Sequence, residues 1–540
     1  MTKRVTSALL LLGAMAMTAC DSGNGTPDLS GNYYGTRTAG PARLFVSARV
    51  PKWDHDHGDR VLGFDVVDAL ASSKVRRYGV RVTHAGAASV EISLGQAGTM
   101  AVSLGVPQDA CASGASEGWQ AHFCWPAGQL NLNLTGPSGE TESLRLTRDL
   151  TAPAPVAAGA TYTVDELVGR AKFVNYAVSE EAERAYRARE SIRAARAALL
   201  PRLNVKEIVG IFMGDYLSAV GNLLPFIFPS HWFQLQEAKS LAVAEEKSLA
   251  SLRGNEMNAV QDLCYMVARD QAVAGAVDAE LAWMGATHAF LSAEEQAGVL
   301  PTGSAAFFGT VENELKLDRV GMATLLTTET AALAQATALP PVGGIGAVAA
   351  VDASSIASAT PLEAASFTGP ATEHALELSS LDALIAAARV GVKEATFSFL
   401  DPQGIINLGF DLGTKIAIAK SSVIELQRRR AETASLIEER VADVAAQQNG
   451  ALSSYSTAKE SLSTVNARTQ WLIQRHLQGD PTLDDQEFVA DLAELRLKAI
   501  AFTADRESAQ QLYLSAQARL DRLTLAGFYQ DLDPKKPEKP

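Results

Sequence analysis

Residues 193–205 read RAARAALLPRLNV. Strong helix formers run into Leu199 and Leu200. Pro201 then stops the helix, because it lacks an amide hydrogen and its ring collides with the preceding turn. Leu203-Asn204-Val205 leans towards β structure. A second stretch, VKEATFSFLDPQGIINL at 392–408, follows the same course, and Pro201 and Pro402 stand 402 − 201 = 201 residues apart. The spacing predicts an internal duplication. In each half a helix ends at the proline, a short irregular or β segment follows, and a very long helix returns. A glycine turn comes next, in FFGTVENELKLDRV (Gly309) and LQGDPTLDDQEFV (Gly479), and a last helix closes the half.

The helices carry a long seam. Steps of four and three from Leu167 reach Ala171, Val174, Val178, Ala185, Ala188, Ile192, Ala195 and Leu199, broken only by Glu181. Leu249, Leu252, Ala259, Leu263, Met266, Val273 and Val277 form a second seam, interrupted by Glu256 and Asp270. Ile437, Val441, Val444, Ala451, Tyr455, Ala458, Leu462, Val465 and Leu472 form a third, interrupted by Gln448 and Thr469. A sustained 3.5-residue period predicts antiparallel helices wound as coiled coils. The helix expected from about Leu412 to Leu477 would be roughly 100 Å long, too long for a compact bundle.

The fold class expected is mainly α, in two repeats of long helical hairpins behind a small β-rich domain. That domain, 30–150, contains ARLFVSARV, YGVRVTHA, ASVEISLG, TMAVSLGV and QLNLNLTG, short runs parted by Gly, Pro and Ser. They predict a small sandwich or open barrel. A Pro/Ala linker occupies 151–163. The first hairpin repeat takes 164–338, a second linker 339–370, the second repeat 371–530, and a charged tail 531–540. GGIGAV at Gly343 follows two prolines and no strand, so it belongs to that second linker.

At the N-terminus, Lys3 and Arg4 precede an apolar run that ends at MTAC. The pattern resembles a bacterial lipoprotein signal over 1–19, with Cys20 as the acylated residue and 20–29 as a tether. It implies export and anchoring in a leaflet facing the periplasm; Asp21 leaves the choice of inner or outer membrane open. In an oxidising compartment Cys111 and Cys124, enclosing a short Gly-containing loop, are expected to pair. Cys264, inside a helix, is expected to be a small buried apolar side chain.

The order of these parts, from ARAALLPRLNV through the glycine turns to LDRL before Gly527, resembles the TolC-like outer-membrane efflux proteins over about 160–530. The resemblance implies a homotrimer whose helices form a periplasmic tunnel, with strands closing a twelve-stranded outer-membrane barrel. It also implies that Gly309, Thr310, Gly479, Asp480 and Pro481 lie at hairpin turns meeting a periplasmic adaptor of an inner-membrane pump, for efflux or type I secretion. This chain would be a divergent lipoprotein member with an extra β domain. Its membrane-side segments look shortened. QGIINLGFDLGTK is too short for two strands of ~9–11 residues, and Ile208–Phe228 is apolar with Asp215 its only charge, suiting a buried cap or a membrane-dipping helical segment. The alternative is a barrel-less structural or adaptor lipoprotein.

Enzymatic chemistry is not expected. No His-Glu-x-x-His, Gly-x-Ser-x-Gly or phosphate-loop pattern occurs, and no cofactor is implied. DHDHGD at 54–59 makes His55 and His57 weak metal candidates, since no third ligand is fixed by spacing; a solvated loop is the simpler reading. A net charge of −14 argues against nucleic acid as partner.

Overall fold

The structure, a computed structural model, describes residues 31–39, 42–50, 60–68, 76–82, 88–93, 99–104, 111–116, 118–124, 129–139, 141–147, 159–199, 229–352, 354–397, 412–479 and 483–532. The signal, Cys20, His55, His57, Pro201, Pro402, Asp480, Pro481 and both membrane-side segments lie outside these residues. The chain divides into two units, Met1–Asp149 and Leu150–Pro540.

The first unit is neither a sandwich nor an open barrel. Ten antiparallel strands, β1 (Gly31–Ala39), β2 (Ala42–Val50), β3 (Arg60–Asp68), β4 (Arg76–Val82), β5 (Ala88–Ser93), β6 (Thr99–Leu104), β7 (Cys111–Ser116), β8 (Trp119–Cys124), β9 (Gln129–Thr135) and β10 (Thr141–Thr147), run up and down. They close because β1 pairs with β10, with Tyr34 opposite Thr147 and Ala39 opposite Glu142. Closure removes the two open edges that a sandwich sheet would leave. On β7–β10 the side chains alternate. Ala112, Ala121, Phe123, Leu130, Leu132, Leu134, Leu144 and Leu146 are buried, while Ser113, Gln120, His122, Asn133 and Arg145 are exposed. A lipid-facing barrel needs the reverse polarity, so these four strands present a water-facing exterior.

The second unit repeats one helical plan. Its first half has α1 (Val164–Val174), α2 (Tyr176–Ala198), α3 (Pro229–Gln296) and α4 (Ser304–Ala336). After α5 (Ser354–Ala357), the second half has α6 (Ala365–His374), α7 (Leu376–Phe397), α8 (Leu412–Leu477) and α9 (Asp485–Thr524). Helices α3 and α8 have 68 and 66 residues, each about 100 Å at 1.5 Å per residue. The duplication extends to a detail that the apolar spacing passes over. Asn175 between α1 and α2, and Ala375 between α6 and α7, both leave helical geometry, with ψ of 138° and 115°. Asn175 is held from three sides: its Oδ1 accepts from the Ala177 and Val178 amides, and its Nδ2 donates to Glu256 at 2.8 Å and to the Ala336 carbonyl at 2.9 Å.

The seam on α8 runs as the periodicity predicts, and Gln448 and Thr469, its two polar steps, are buried with it. On α3 the line shifts. Met257, Val260, Cys264 and Val267 are buried, while Ala259 is exposed and Leu263 half-buried, and the two lines merge at Val273 and Val277. The reason is that α3 packs against α1, α2, α4, α7 and α9, so no single stripe describes its covered surface. Cys264 is free and buried, and burial pushes its thiol up to about 12.

The 339–370 linker is structured. Strand β12 (Ala347–Val348) pairs in parallel with β11 (Thr161–Tyr162), tying the two linkers together. Gly346 is required there, since a Cβ would stand 2.1 Å from the Gly159 carbonyl oxygen. The second repeat starts at Ala365 rather than 371, and the tail begins after Leu532. Asp531 pairs with Lys172, and Tyr529 and Leu532 are buried in a core with Leu167, Val260, Leu333 and Val348.

The LDRL segment acquires a physical role. Arg522, only 5% exposed, crosses α3 to reach Glu377 on α7 at 2.7 Å. It passes where Gly254 leaves room, for a Cβ at 254 would lie 2.3 Å from its Nε. Gly254→Ala should therefore displace the guanidinium and lower stability by about 1–3 kcal/mol despite the better helix propensity of alanine. The midpoint of urea unfolding measures this, and an unchanged midpoint would refute the role given to Gly254.

Candidate functional site

The residues expected to meet a partner lie at the turn end of the hairpins. There the structure corrects the first turn. Gly309 is inside α4, buried, six residues beyond the turn, which spans 297–303 with positive φ at Gly298 (+73°) and Gly303 (+100°). Gly309 has a different use: a Cβ would come within 2.9 Å of the His288 ring, so glycine lets that ring lie on α4. His288 Nδ1 then stands 3.0 Å from Glu312. The Lys316 ammonium, 2.6 Å from Glu312, holds that carboxyl below its ordinary range, and His288 adds to the effect. Thr310 is also helical, exposed, and donates to the Ala306 carbonyl. The sequence misled because Gly298 and Gly303 are turn glycines of the kind that tolerates positive φ, whereas Gly309 is a packing glycine, and spacing alone does not separate the two.

The true turn is capped from the helix before it. Glu295 accepts from the amides of Gly303 at 2.8 Å and Ala305 at 3.0 Å, and these bonds lower its pKa. The second turn keeps its glycine, with Gly479 at φ +68°, and Asp484 caps α9 through the Gln486 and Glu487 amides. His476 joins the two hairpins. Its Nε2 is 2.9 Å from Glu294, and its ring stacks on Phe488 at 3.9 Å. Behind the turns Met284, Leu291, Phe308, Leu315, Leu472 and Leu492 share one core. Outside it, Val299, Phe307, Trp471 and Leu477 are exposed. The turn end is thus a pair of tips on a shared core that expose several apolar side chains.

The flank of α4 is the other exposed feature. From Val320 to Ala336 the helix has a single charged residue, Glu329, and that one is buried. Its outward positions are Val320, Gly321, Ala323, Thr324, Leu325, Thr327, Thr328, Ala332 and Gln335. The hydroxyls of Thr324, Thr327 and Thr328 donate to carbonyls of their own helix four residues back. This face is uncharged along more than four turns, and its three threonine hydroxyls are satisfied within the helix.

Glu329 packs against Asp270, which the Arg269 guanidinium holds at 2.6 Å. Desolvation, then the Asp270 carboxylate, pushes Glu329 up to about 7 from an ordinary 4.5. A raised carboxyl stabilises the fold fully below the unfolded value and loses that contribution as pH rises through the folded one. Glu329→Gln should therefore raise the melting temperature at pH 8 and leave it nearly unchanged at pH 4, as read by thermal unfolding. An equal shift at both pH values would contradict the assignment.

A cleft of about 370 Å³, lined by Tyr265, Arg269, Glu507, Gln510 and Gln511 among others, holds no nucleophile paired with a base. Among the described residues Cys111, His122 and Cys124 form the single grouping with metal-ligand geometry, and the two cysteines, directly opposite on β7 and β8, are bonded to each other. No helix among the described residues is long and apolar enough to cross a membrane.

The second unit is an internally duplicated fold of long helical hairpins, and solved structures share it. The fold matches the outer membrane protein VceC of Vibrio cholerae at 13% identity and TM-score 0.50, over 68% of this chain and 96% of that one. It matches the CmeC outer membrane channel of Campylobacter jejuni at 11% identity and TM-score 0.53, over 71% and 92%. It matches the MtrE outer membrane channel of Neisseria gonorrhoeae at 12% identity and TM-score 0.53, over 68% and 90%. No protein-family model and no curated protein matches the sequence. The chain has the TolC-like fold.

Proposed function

We propose that the protein is a TolC-like conduit of a bacterial envelope, assembled as a homotrimer and working with a periplasmic adaptor and an inner-membrane pump in efflux or type I secretion. The observation that carries this reading is the uncharged flank of α4 on a pair of hairpins about 100 Å long. A monomer gains nothing by exposing Leu317, Val320 and Leu325 beside small residues, whereas a neighbouring helix packed there would bury them at close range. The tips at 298–303 and at Gly479, with Val299, Phe307 and Leu477 exposed there, are the surface offered to the adaptor. A charge on the flank should separate the subunits without unfolding them. Thr324→Lys is expected to shift the detergent-purified protein from trimer to monomer by native mass spectrometry while its helical circular dichroism is kept; a trimer that survives would remove α4 from the interface.

The lipid on Cys20 would anchor this assembly to the outer membrane. Cys20→Ser should lose fatty-acid labelling and be released from the membrane fraction, and continued labelling would exclude lipidation at that residue. The membrane end is proposed to be reduced. Thirty residues separate Ala198 from Pro229, but only fourteen separate Phe397 from Leu412, and two spanning strands with a turn need roughly twenty or more. A complete twelve-stranded barrel is therefore not expected, and planar-bilayer recording tests it. Stable, defined conductance from the purified trimer would show that a full pore forms. A trimer without conductance would favour the second reading, a structural or adaptor lipoprotein on the same scaffold.

A further inference from the structure

We propose that the Cys111–Cys124 disulfide is an exchange-active site that reacts with thiols, with His122 stabilising the departing sulfur. The inference rests on the pairing of these cysteines and is independent of the conduit reading. Three observations carry it. The bond lies on the water-facing side of the barrel wall, since Cys111 and Cys124 alternate with the buried Ala112 and Phe123. His122 Nε2 lies 3.1 Å from Cys124 Sγ. His122 Nδ1 lies 2.6 Å from Ser113 Oγ, the residue directly opposite it on β7. A purely structural bridge needs none of these. It is served better by burial, whereas an imidazole at one sulfur of an accessible bond is the arrangement that eases its departure.

The two strands fix the geometry. Cys111 faces Cys124 and Ser113 faces His122 in consecutive same-face pairs of the β7–β8 ladder. With a proton on each ring nitrogen, His122 donates from Nδ1 to the Ser113 hydroxyl and from Nε2 to Cys124 sulfur. Across β8, the register neighbours on β9 are Asn131 opposite Cys124 and Asn133 opposite His122. Both are uncharged, so His122 is the group placed to donate to a new thiolate, and the nearest cation in the register beyond them is Arg145, opposite Asn131 on β10.

The reaction balances without a cofactor. An incoming thiolate attacks Cys111 Sγ, the Cys111–Cys124 bond breaks, and its electron pair leaves on Cys124 as a thiolate paired with the His122 imidazolium. A second thiolate attacks the incoming sulfur of the mixed disulfide and releases Cys111. Two thiols become one disulfide, and their two electrons reduce the bridge. Attack is directed to Cys111 because the better leaving sulfur is the one beside the imidazole. The reactant is a thiol, either a small monothiol or the cysteine pair of a polypeptide.

The test uses the full-length exported protein. Peptide mapping without reductant comes first; free Cys111 and Cys124 there would refute the pairing itself. Reduction by glutathione, and separately by a thioredoxin-type protein dithiol, is then timed at pH 7 by alkylation and mass. The wild-type protein should react at least tenfold faster than His122→Ala, with Ser113→Ala slowed less. Cys124→Ser, given glutathione disulfide in place of glutathione, should exchange through its Cys111 thiolate into a Cys111–glutathione mixed disulfide and release one glutathione thiolate. Both His122 and Ser113 are on the exterior, so unchanged melting curves serve as the control for folding. A faster glutathione arm identifies small thiols as the reactant, and a response confined to the dithiol identifies a polypeptide. Equal rates in wild type and His122→Ala would overturn the proposal. So would tight one-to-one Zn(II) binding by the reduced protein that blocks exchange, which would make the three residues a metal site instead.

Discussion

A helix about 100 Å long made of ordinary amphipathic sequence is stable in water only where other chain covers it, and α3 is the helix on which this requirement falls most heavily. It is covered in sections. Helix α2 lies along its first part, where Arg189 meets Glu246; α1 lies along its middle; α4 lies along its last part, where Arg319 meets Asp278. From the other repeat, α7 and α9 complete the sheath. The segmentation of the short helices follows from this arrangement. The break at Asn175 lets the chain pass from the middle section to the outer one, and the amide bonded to Ala336 marks where α4 gives way to α1. Arg170 closes the same joint by donating to the Thr337 and Ala338 carbonyls at the end of α4.

The cost of close approach is carried by a few residues. Small buried residues, Ala171, Ala274, Ala451 and Ala458, keep little side chain between the helices that cover them, and Gly254 allows a guanidinium to lie between three helices. Several buried charges are paired, as in Arg522 with Glu377 or Arg496 with Glu280, the latter guanidinium also stacking 4.6 Å from the Trp283 ring. Unpaired, such groups would be strongly destabilising.

Much of this was legible in the sequence, for a reason that differs from element to element. Helix α8 could be bounded closely because it has one principal seam, a proline ten residues before its start and a glycine two residues after its end. The seam on α3 was misplaced over Leu249–Met266 because five neighbours cover that helix, and a stripe of fixed period implies one. The turn glycine was misassigned to Gly309 because its real neighbour, His288, is distant in sequence. In the β unit five runs were visible, whereas β8 and the strands with many small or hydroxyl residues, β1, β7 and β10, were not. Closure of the barrel depends on the β1–β10 ladder, which pairs residues more than a hundred apart and leaves no local mark. The redox-facing arrangement of Ser113 and His122 was hidden for a related reason: only the hairpin register brings them together.

The central core has a consequence for the order in which the protein is made. Leu167 and Val168, at the start of the first repeat, are buried against Leu525, Tyr529 and Leu532, at the end of the second. The Tyr529 hydroxyl, moreover, donates to Gln261 in the middle of α3. A chain that crosses a membrane from its N-terminus therefore delivers the first repeat long before the residues that complete its core arrive. Until then the Ala- and Leu-rich faces of α1 and α3 have no permanent cover. N-terminus-first delivery of the chain thus sets a waiting time on folding, proportional to the more than 350 residues between Leu167 and Leu525, and during it the exposed seams are the surface that a holding chaperone would meet.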